Sequence, residues 1–421
     1  MTDGTETDRL PRIAVLLGAG ASCDAGIPTS IAMTDAILEN VAHYPIVHRL
    51  LDFIRFTLAA DVAARGTGEV VDVERLFAAV ELLIDRRDQP WSPFVSTWVQ
   101  GLESFATDNR SQPVSRDLSG LDKAVESAGN YQPPGRGVSR FNLHGIYAPS
   151  KVVGDAIEKA LRLSRNPDVG SQLKLARTVM LTSLFEILHI TDTDRVAYLS
   201  PLVDLAEEQG SLTVATLNYD RSVEILAGER GVGFETGIDR WLARRRLRWE
   251  QEQPLRLLKL HGSIDWAIDD RVEAGKLPMA GIKKLDPDKP SDASERPAIV
   301  FGEAGKLRAE GPYLELLLAW SQQLEEADVL LAVGYSFRDP HVNEILARWF
   351  NAVEGRRVIV LDPSHPTPGP RFVQQLARLN PHIPDDQPQP FSVVSNTAKE
   401  GLAVAINIAR GTWKPETADA R

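Results

Sequence analysis

One recurring feature limits this chain more than any other: a short apolar run that ends abruptly in a small polar motif. Ile13-Ala-Val-Leu-Leu17 runs into Gly18-Ala-Gly-Ala-Ser22. Leu212 to Thr216 runs into Asn218-Tyr-Asp220, and Leu255 to Leu260 into His261-Gly-Ser263. Val329 to Val333 runs into Gly334-Tyr-Ser336, and Val358 to Leu361 into Asp362-Pro363. Unbroken apolar runs suit strands buried on both faces. Helical spacing fills much of the chain between them, so the expected class is α/β, with a Rossmann-like, parallel, doubly wound sheet. Ligands of such sheets sit beyond the carboxyl ends of the strands, where each polar motif falls. Segments far apart in sequence are therefore expected to converge on one crevice.

The spacing also predicts how the chain is divided. Ile31 to Leu58, Val73 to Ile84, Val153 to Leu163, Leu173 to His189 and Arg195 to Glu208 read as helices, with Asp72 a candidate N-cap. We expect a Rossmann-like domain from residues 10–30 and 205–410, interrupted by a large, mostly helical insertion domain at 31–204. A short strand is expected at Ala298 to Phe301 and a helix at His341 to Phe350. A last strand and helix are expected at Phe391 to Val394 and Ala398 to Ile408. Residues 107–139, rich in Ser, Asp, Gly, Asn and Pro, read as a loop or linker. The stretches 269–296 and 363–390 read as surface excursions.

Composition narrows the function. The 421 residues are 43% hydrophobic and 25% charged, as in an ordinary globular protein. A net charge of −11 argues against direct nucleic-acid binding or an anionic membrane partner, which would need Lys and Arg to neutralise phosphates. The basic stretch Arg240 to Arg248 reads as a solvated helix face. The single cysteine, Cys23, permits no internal disulfide and no ordinary Cys-based zinc site. The polar N-terminus lacks a signal-peptide core and no apolar run reaches transmembrane length, so a cytoplasmic, membrane-free setting is expected.

Each motif has a chemical reading and a plainer one. Glycines at Gly18 and Gly20 let backbone approach a pyrophosphate, yet Cys23 stands where a third glycine would complete the dinucleotide fingerprint, and no Gly-Lys-Ser/Thr follows. A plain strand-to-helix turn fits the same residues. Asn218 can hold a water or ribose hydroxyl. Asp220 can accept from an amide, or form an Asx turn capping the next helix. His261 is a candidate general base, its type titrating near neutral pH, or a buried structural histidine. Gly334 and Ser336 suit phosphate or ribose contacts. Asp362 suits ribose hydroxyls, or a turn before Pro363.

Taken in order, GAGAS…GIP, TLNYD, KLHGS and VGYS resemble the sirtuin family over roughly residues 10–30 and 210–365. The resemblance implies a Rossmann-type domain that binds NAD, with Gly18, Ala19, Gly20 and Ser22 on the dinucleotide and Ile27 and Pro28 near the nicotinamide. It implies that Asp220 binds the carboxamide, that Asn218 positions water or ribose, and that His261 is the catalytic histidine. Gly334 and Ser336 would meet the adenosine half. Two departures point away from deacylation. The four zinc-binding cysteines of deacylating sirtuins are missing, so no zinc or other metal is expected. Their GIPDFR segment is here Gly26-Ile-Pro-Thr-Ser-Ile31, without the Asp, Phe and Arg.

The VGYSFRDPH stretch is similar to the sirtuin-like domains of bacterial antiphage defence. That resemblance implies an NAD hydrolase that uses NAD as substrate, releases nicotinamide and ADP-ribose, and depletes the cell of NAD. It also implies a homo-oligomer and a separately encoded regulator, such as a HerA-type ATPase or an Argonaute-like protein. The other readings are a protein deacylase or ADP-ribosyltransferase on the same scaffold, and a non-catalytic sensor of NAD or ADP-ribose.

Overall fold

The computed structural model describes residues 10–65, 70–84, 169–238, 253–269, 281–287, 297–300, 311–364, 373–375 and 389–411, with 241, 247 and 249. By contact the chain divides into two compact units, Met1–Thr29 with Phe185–Arg421, and Ser30–Leu184.

The first unit is built on a seven-stranded parallel sheet. Its strands are β1 (Ile13–Leu17), β2 (Leu212–Thr216), β3 (Phe234–Glu235), β4 (Leu255–Lys259), β8 (Val329–Val333), β9 (Arg357–Leu361) and β10 (Phe391–Val394). They run in the order β10-β9-β8-β1-β2-β4-β3. Val15 pairs with Val214 on one side and Leu331 on the other, placing β1 at the centre. Every residue of β1 and β8 is buried, as the unbroken apolar runs require of strands covered on both faces. The chain winds outward from β1 through β2 in one direction, then restarts at β8 in the other. The β1/β8 boundary is thus the switch point, and the crevice at its carboxyl edge is where such sheets take ligands.

Helices α5 (Ser200–Gln209), α6 (Ser222–Glu229), α7 (Tyr313–Glu325), α8 (Pro340–Ala352) and α9 (Ala398–Arg410) belong to the same unit. Leu316, Trp320 and Leu324 on α7 and Val342, Leu346 and Trp349 on α8 are buried in a common core with Ala14, Leu16, Leu330 and Ala332 of the sheet. Burying one such large apolar side chain contributes roughly 1.5–3 kcal/mol.

The other unit is helical where described. It holds α1 (Ser30–Asn40), α2 (Pro45–Arg65) and α3 (Val73–Ile84), and most of α4 (Val169–Leu188). Asp72 caps α3, its Oδ1 accepting from the N–H of Arg75 at 3.0 Å. The buried row Val73, Leu76, Phe77 and Val80 follows the period of one helix face.

Three expectations need correction. The helix expected over Ile31 to Leu58 is two helices separated by a 3-10 turn at Val41–His43 and by Pro45, which lacks an N–H to continue the first. Arg195 to Glu208 begins as a 3-10 helix, Thr193–Leu199, before α5, with Pro201 in the first turn of α5. The stretch 269–296, expected as a surface excursion, includes strand. β5 (Gly262–Asp269), β6 (Gly281–Lys284) and β7 (Pro297–Ile299) form a small antiparallel sheet ordered β6-β5-β7. The expected loop at 107–139 and helix at Val153 to Leu163 lie outside the described residues.

Candidate functional site at the switch point

The loops after β1 and β8 cross in van der Waals contact. The Gly18 N–H donates to the Val333 carbonyl at 2.9 Å and the Gly20 N–H to the Gly334 carbonyl at 3.0 Å. A Cβ on Gly18 would fall 2.5 Å from the Gly334 oxygen, and one on Gly334 would fall 2.3 Å from the nitrogen of Ala21. Gly334 is also left-handed, at φ 58. The glycines thus answer a demand of the fold itself, whatever they do for a ligand. Beyond Gly18 the chain forms a 3-10 helix, Ala19–Ala25, closed by left-handed Gly26.

That geometry buries Ser22 and aims its hydroxyl across the crevice edge. Ser22 Oγ donates to Asp220 Oδ2 at 2.8 Å and accepts from Asn218 Nδ2 at 3.0 Å. Asn218 Nδ2 also reaches the Gly18 carbonyl at 2.9 Å. Four predicted site residues, Gly18, Ser22, Asn218 and Asp220, therefore meet in one network. The amide nitrogen of Asn218 is taken up by the Gly18–Ser22 loop, whereas its Oδ1 accepts from no described residue. Asp220 also follows its plainer reading, because Oδ1 accepts from the Ser222 N–H at 2.9 Å and the Ser222 hydroxyl at 2.5 Å, at the start of α6.

Two residues that sequence reading did not single out support this loop. Lys259, the last residue of β4, is fully buried and donates to the Asp220 carbonyl oxygen and, at 2.9 Å, to Glu224 Oε1. Burial pushes the Glu224 carboxyl up, and the Lys259 charge pulls it part of the way back. The signal was a charge at the end of the strand Leu255-Arg-Leu-Leu-Lys259, directly after its buried Leu-Leu pair. Tyr198 donates to the Ala21 carbonyl at 2.6 Å, and burial, then the nearby Asp220 charge, push its phenol up.

His261 enters from the neighbouring strand. Thr216 and Lys259 are paired at the ends of β2 and β4, so Asn218 and His261 both stand two residues beyond one rung of the sheet. Adjacent strands lie about 4.8 Å apart, so the two loops are neighbours. His261 is buried, with Nε2 3.0 Å from Oδ2 of buried Asp339, and its ring is tilted against Tyr219 at 6.5 Å between centroids. Asp339 also escaped the sequence reading, although an Asp-Pro pair opening a helix marks an N-cap. Between Gly334 and Asp339, buried Phe337 takes a left-handed φ of 54, which costs a non-glycine residue on the order of 1–3 kcal/mol.

The remaining predicted residues are less closely joined. Ile27 is buried and Pro28 half-buried beside the loop. Ala19 lends its carbonyl to the Cys23 thiol, 3.7 Å away. Ser336 is exposed. Asp362 forms its own turn, accepting from the N–H and hydroxyl of Ser364 at 2.9 and 2.8 Å, yet it lies near enough to Cys23 to raise its thiol. Among the described residues no His, Cys, Asp and Glu side chains gather into a metal-holding group, and no helix is long and apolar enough to cross a membrane.

Comparison with known proteins bears on the second half of this site. Residues 212–379 match the model of the SIR2-like domain. No curated protein matches the chain. Similar solved structures include a Sir2 homologue in complex with NAD, at 14% identity over 96% of this chain and 91% of that one, TM-score 0.37. A mutant Sir2 homologue with 2′-O-acetyl ADP ribose is similar at 14% identity over 97% and 96% of the two chains, TM-score 0.35. At such identities and TM-scores the assignment rests on the family model. That model spans Asn218, His261 and Asp339, while the Gly18–Ser22 loop outside it is tied to the same site by Ser22. The likeness to a SIR2-like domain is thus a property of residues 212–379.

Proposed function

We propose that the protein binds NAD at the switch point and hydrolyses its nicotinamide–ribose bond, giving nicotinamide and ADP-ribose. The observation that carries this reading is the placement of Asn218 and His261 two residues beyond the same rung of β2 and β4, with Asn218 bonded to the Gly18–Ser22 loop. As the glycosidic bond breaks, positive charge develops on the ribose and neutral nicotinamide leaves with the bonding electron pair. Asn218 Oδ1 orients a water towards C1′, and His261 takes its proton as the oxygen adds. Gly18, Ala19, Gly20 and Ser22 hold the diphosphate, and binding energy from that end fixes the reacting end. Asp220 keeps Ser22 and Asn218 in place and stands at the nicotinamide end. Gly334, Ser336 and Asp362 line the adenosine half.

The setting we propose is antiphage defence in the cytoplasm. The enzyme works as a homo-oligomer restrained by a separately encoded regulator, since unrestrained NAD loss would kill its host. The departure at Thr29-Ser-Ile31 from the deacylase segment favours water over acyl-lysine as the acceptor. The test is incubation with NAD alone, and with NAD plus an acetyl-lysine peptide. ADP-ribose formed without peptide supports hydrolysis. Nicotinamide release that requires peptide and yields acetylated ADP-ribose contradicts it.

A further inference from the structure

We infer that Asp339 is a positioning residue that decides which ring nitrogen of His261 serves as the base, an inference that rests on the hydrolytic reading above. The Asp339 carboxylate is divided between two tasks. Oδ1 accepts from the N–H groups of His341 at 3.0 Å and Val342 at 3.3 Å, capping α8. Oδ2 lies 3.0 Å from His261 Nε2. An ionised carboxylate only accepts, so a neutral imidazole in this contact carries its proton on Nε2. The lone pair is then on Nδ1. Nδ1 is buried in the structure, so NAD binding has to open it to the water. The water then gives its proton to Nδ1, its oxygen bonds to C1′, and nicotinamide leaves with the electrons of the broken bond. The buried Asp339 charge stabilises the imidazolium that results.

The loop is built to aim this carboxylate. Joining a strand to a helix does not require a left-handed phenylalanine, yet Phe337 is held so. Asn343 Nδ2 donates to the Phe337 carbonyl at 2.8 Å, and the Tyr335 hydroxyl donates to Asn343 Oδ1 at 2.9 Å. The rings of Tyr335 and Phe337 pack at 4.6 Å between centroids. Backbone strain that its surroundings enforce in this way gathers at functional sites.

Asp339→Asn separates the two tasks. The helix N–H groups keep the amide oxygen, which turns the amide N–H towards His261 Nε2 and makes that nitrogen the acceptor. Ring ¹⁵N shifts of His261 in the full-length protein are expected to report Nε2–H in the wild type and Nδ1–H in the variant. The kcat of nicotinamide release falls about 10²–10⁴-fold with KM nearly unchanged, and Asp339→Glu restores part of it. An unchanged tautomer in Asp339→Asn, or a kcat within about threefold of wild type, overturns the inference. If Asp339→Asn does not fold, the wild-type spectrum decides, because Nδ1–H there also overturns it. A wild-type protein that never releases nicotinamide refutes hydrolysis, while the ring spectrum still judges the positioning.

Discussion

Ser22 Oγ lies 2.8 Å from Asp220 Oδ2, joining two buried residues 198 positions apart in sequence. The bond couples the loop after β1 to the loop after β2, and Asn218 completes it. Asp220→Ala removes this tie and the acceptor for Ser222 together. We expect a loss of about 1–2 kcal/mol in urea unfolding, the usual cost of a lost helix cap, with nicotinamide release abolished in the folded fraction. Stability equal to wild type would show that the carboxylate does not hold the two loops.

Gly334 and Gly355 are both left-handed, at φ 58 and φ 84, but only Gly334 faces another backbone. A Cβ at Gly355 meets nothing within 4 Å. Gly355→Ala should cost about 1–2 kcal/mol, the price of the conformation alone. Gly334→Ala should cost clearly more, because Ala21 and Gly20 must move. Urea midpoints of the two variants make the comparison, and equal losses would remove the crossing of the loops as the reason for Gly334.

Lys259 and Glu224 form a buried pair beneath Asp220. Lys259→Met leaves Glu224 unpartnered and should cost about 3–5 kcal/mol near neutral pH. Burial already raises the Glu224 carboxyl above its ordinary 4.5, and losing Lys259 raises it further. A group raised on folding favours the folded state below its unfolded value, and that gain is lost as pH climbs through the raised folded value. The deficit of Lys259→Met should therefore shrink in mild acid, where Glu224 is protonated in the fold. Thermal melts at several pH values check this, and a deficit independent of pH would contradict it.

Cys23 is exposed on the turn between Gly20 and Gly26. Partial burial of its thiol, then Asp24 and Asp362, push it above its ordinary 9.0. Only the thiolate alkylates, so the rate of maleimide modification should still be climbing past pH 9. Saturating NAD should slow it if the nucleotide crosses this loop. A rate that levels off near neutral pH would place the thiol elsewhere electrostatically.

Much of the architecture was legible because buried parallel strands leave unmistakable apolar runs. The bounds of β2, β8 and α3 follow directly from those runs and from helical spacing. The strand expected at Ala298 to Phe301 overlaps β7, but β5 and β6 were hidden, because Gly262 to Asp269 mixes polar and apolar residues and pairs with β7 across a register shift. Ser22, Asn218, Asp220 and His261 were readable as a set through motif order. Lys259 and Asp339 were not, because each works through a contact with a residue 35 or 78 positions away, which spacing cannot reveal. The glycines were read as making room for a ligand, and the structure adds a second demand that only the crossing of two loops exposes.

In the proposed reaction this crevice cleaves NAD through Asn218 and His261. The most direct test is nicotinamide release from NAD alone by the wild type, Asn218→Ala and His261→Ala, each verified as folded. We expect turnover by the wild type and a loss of at least about 10²-fold in each variant. Wild-type rates in either folded variant would contradict the account.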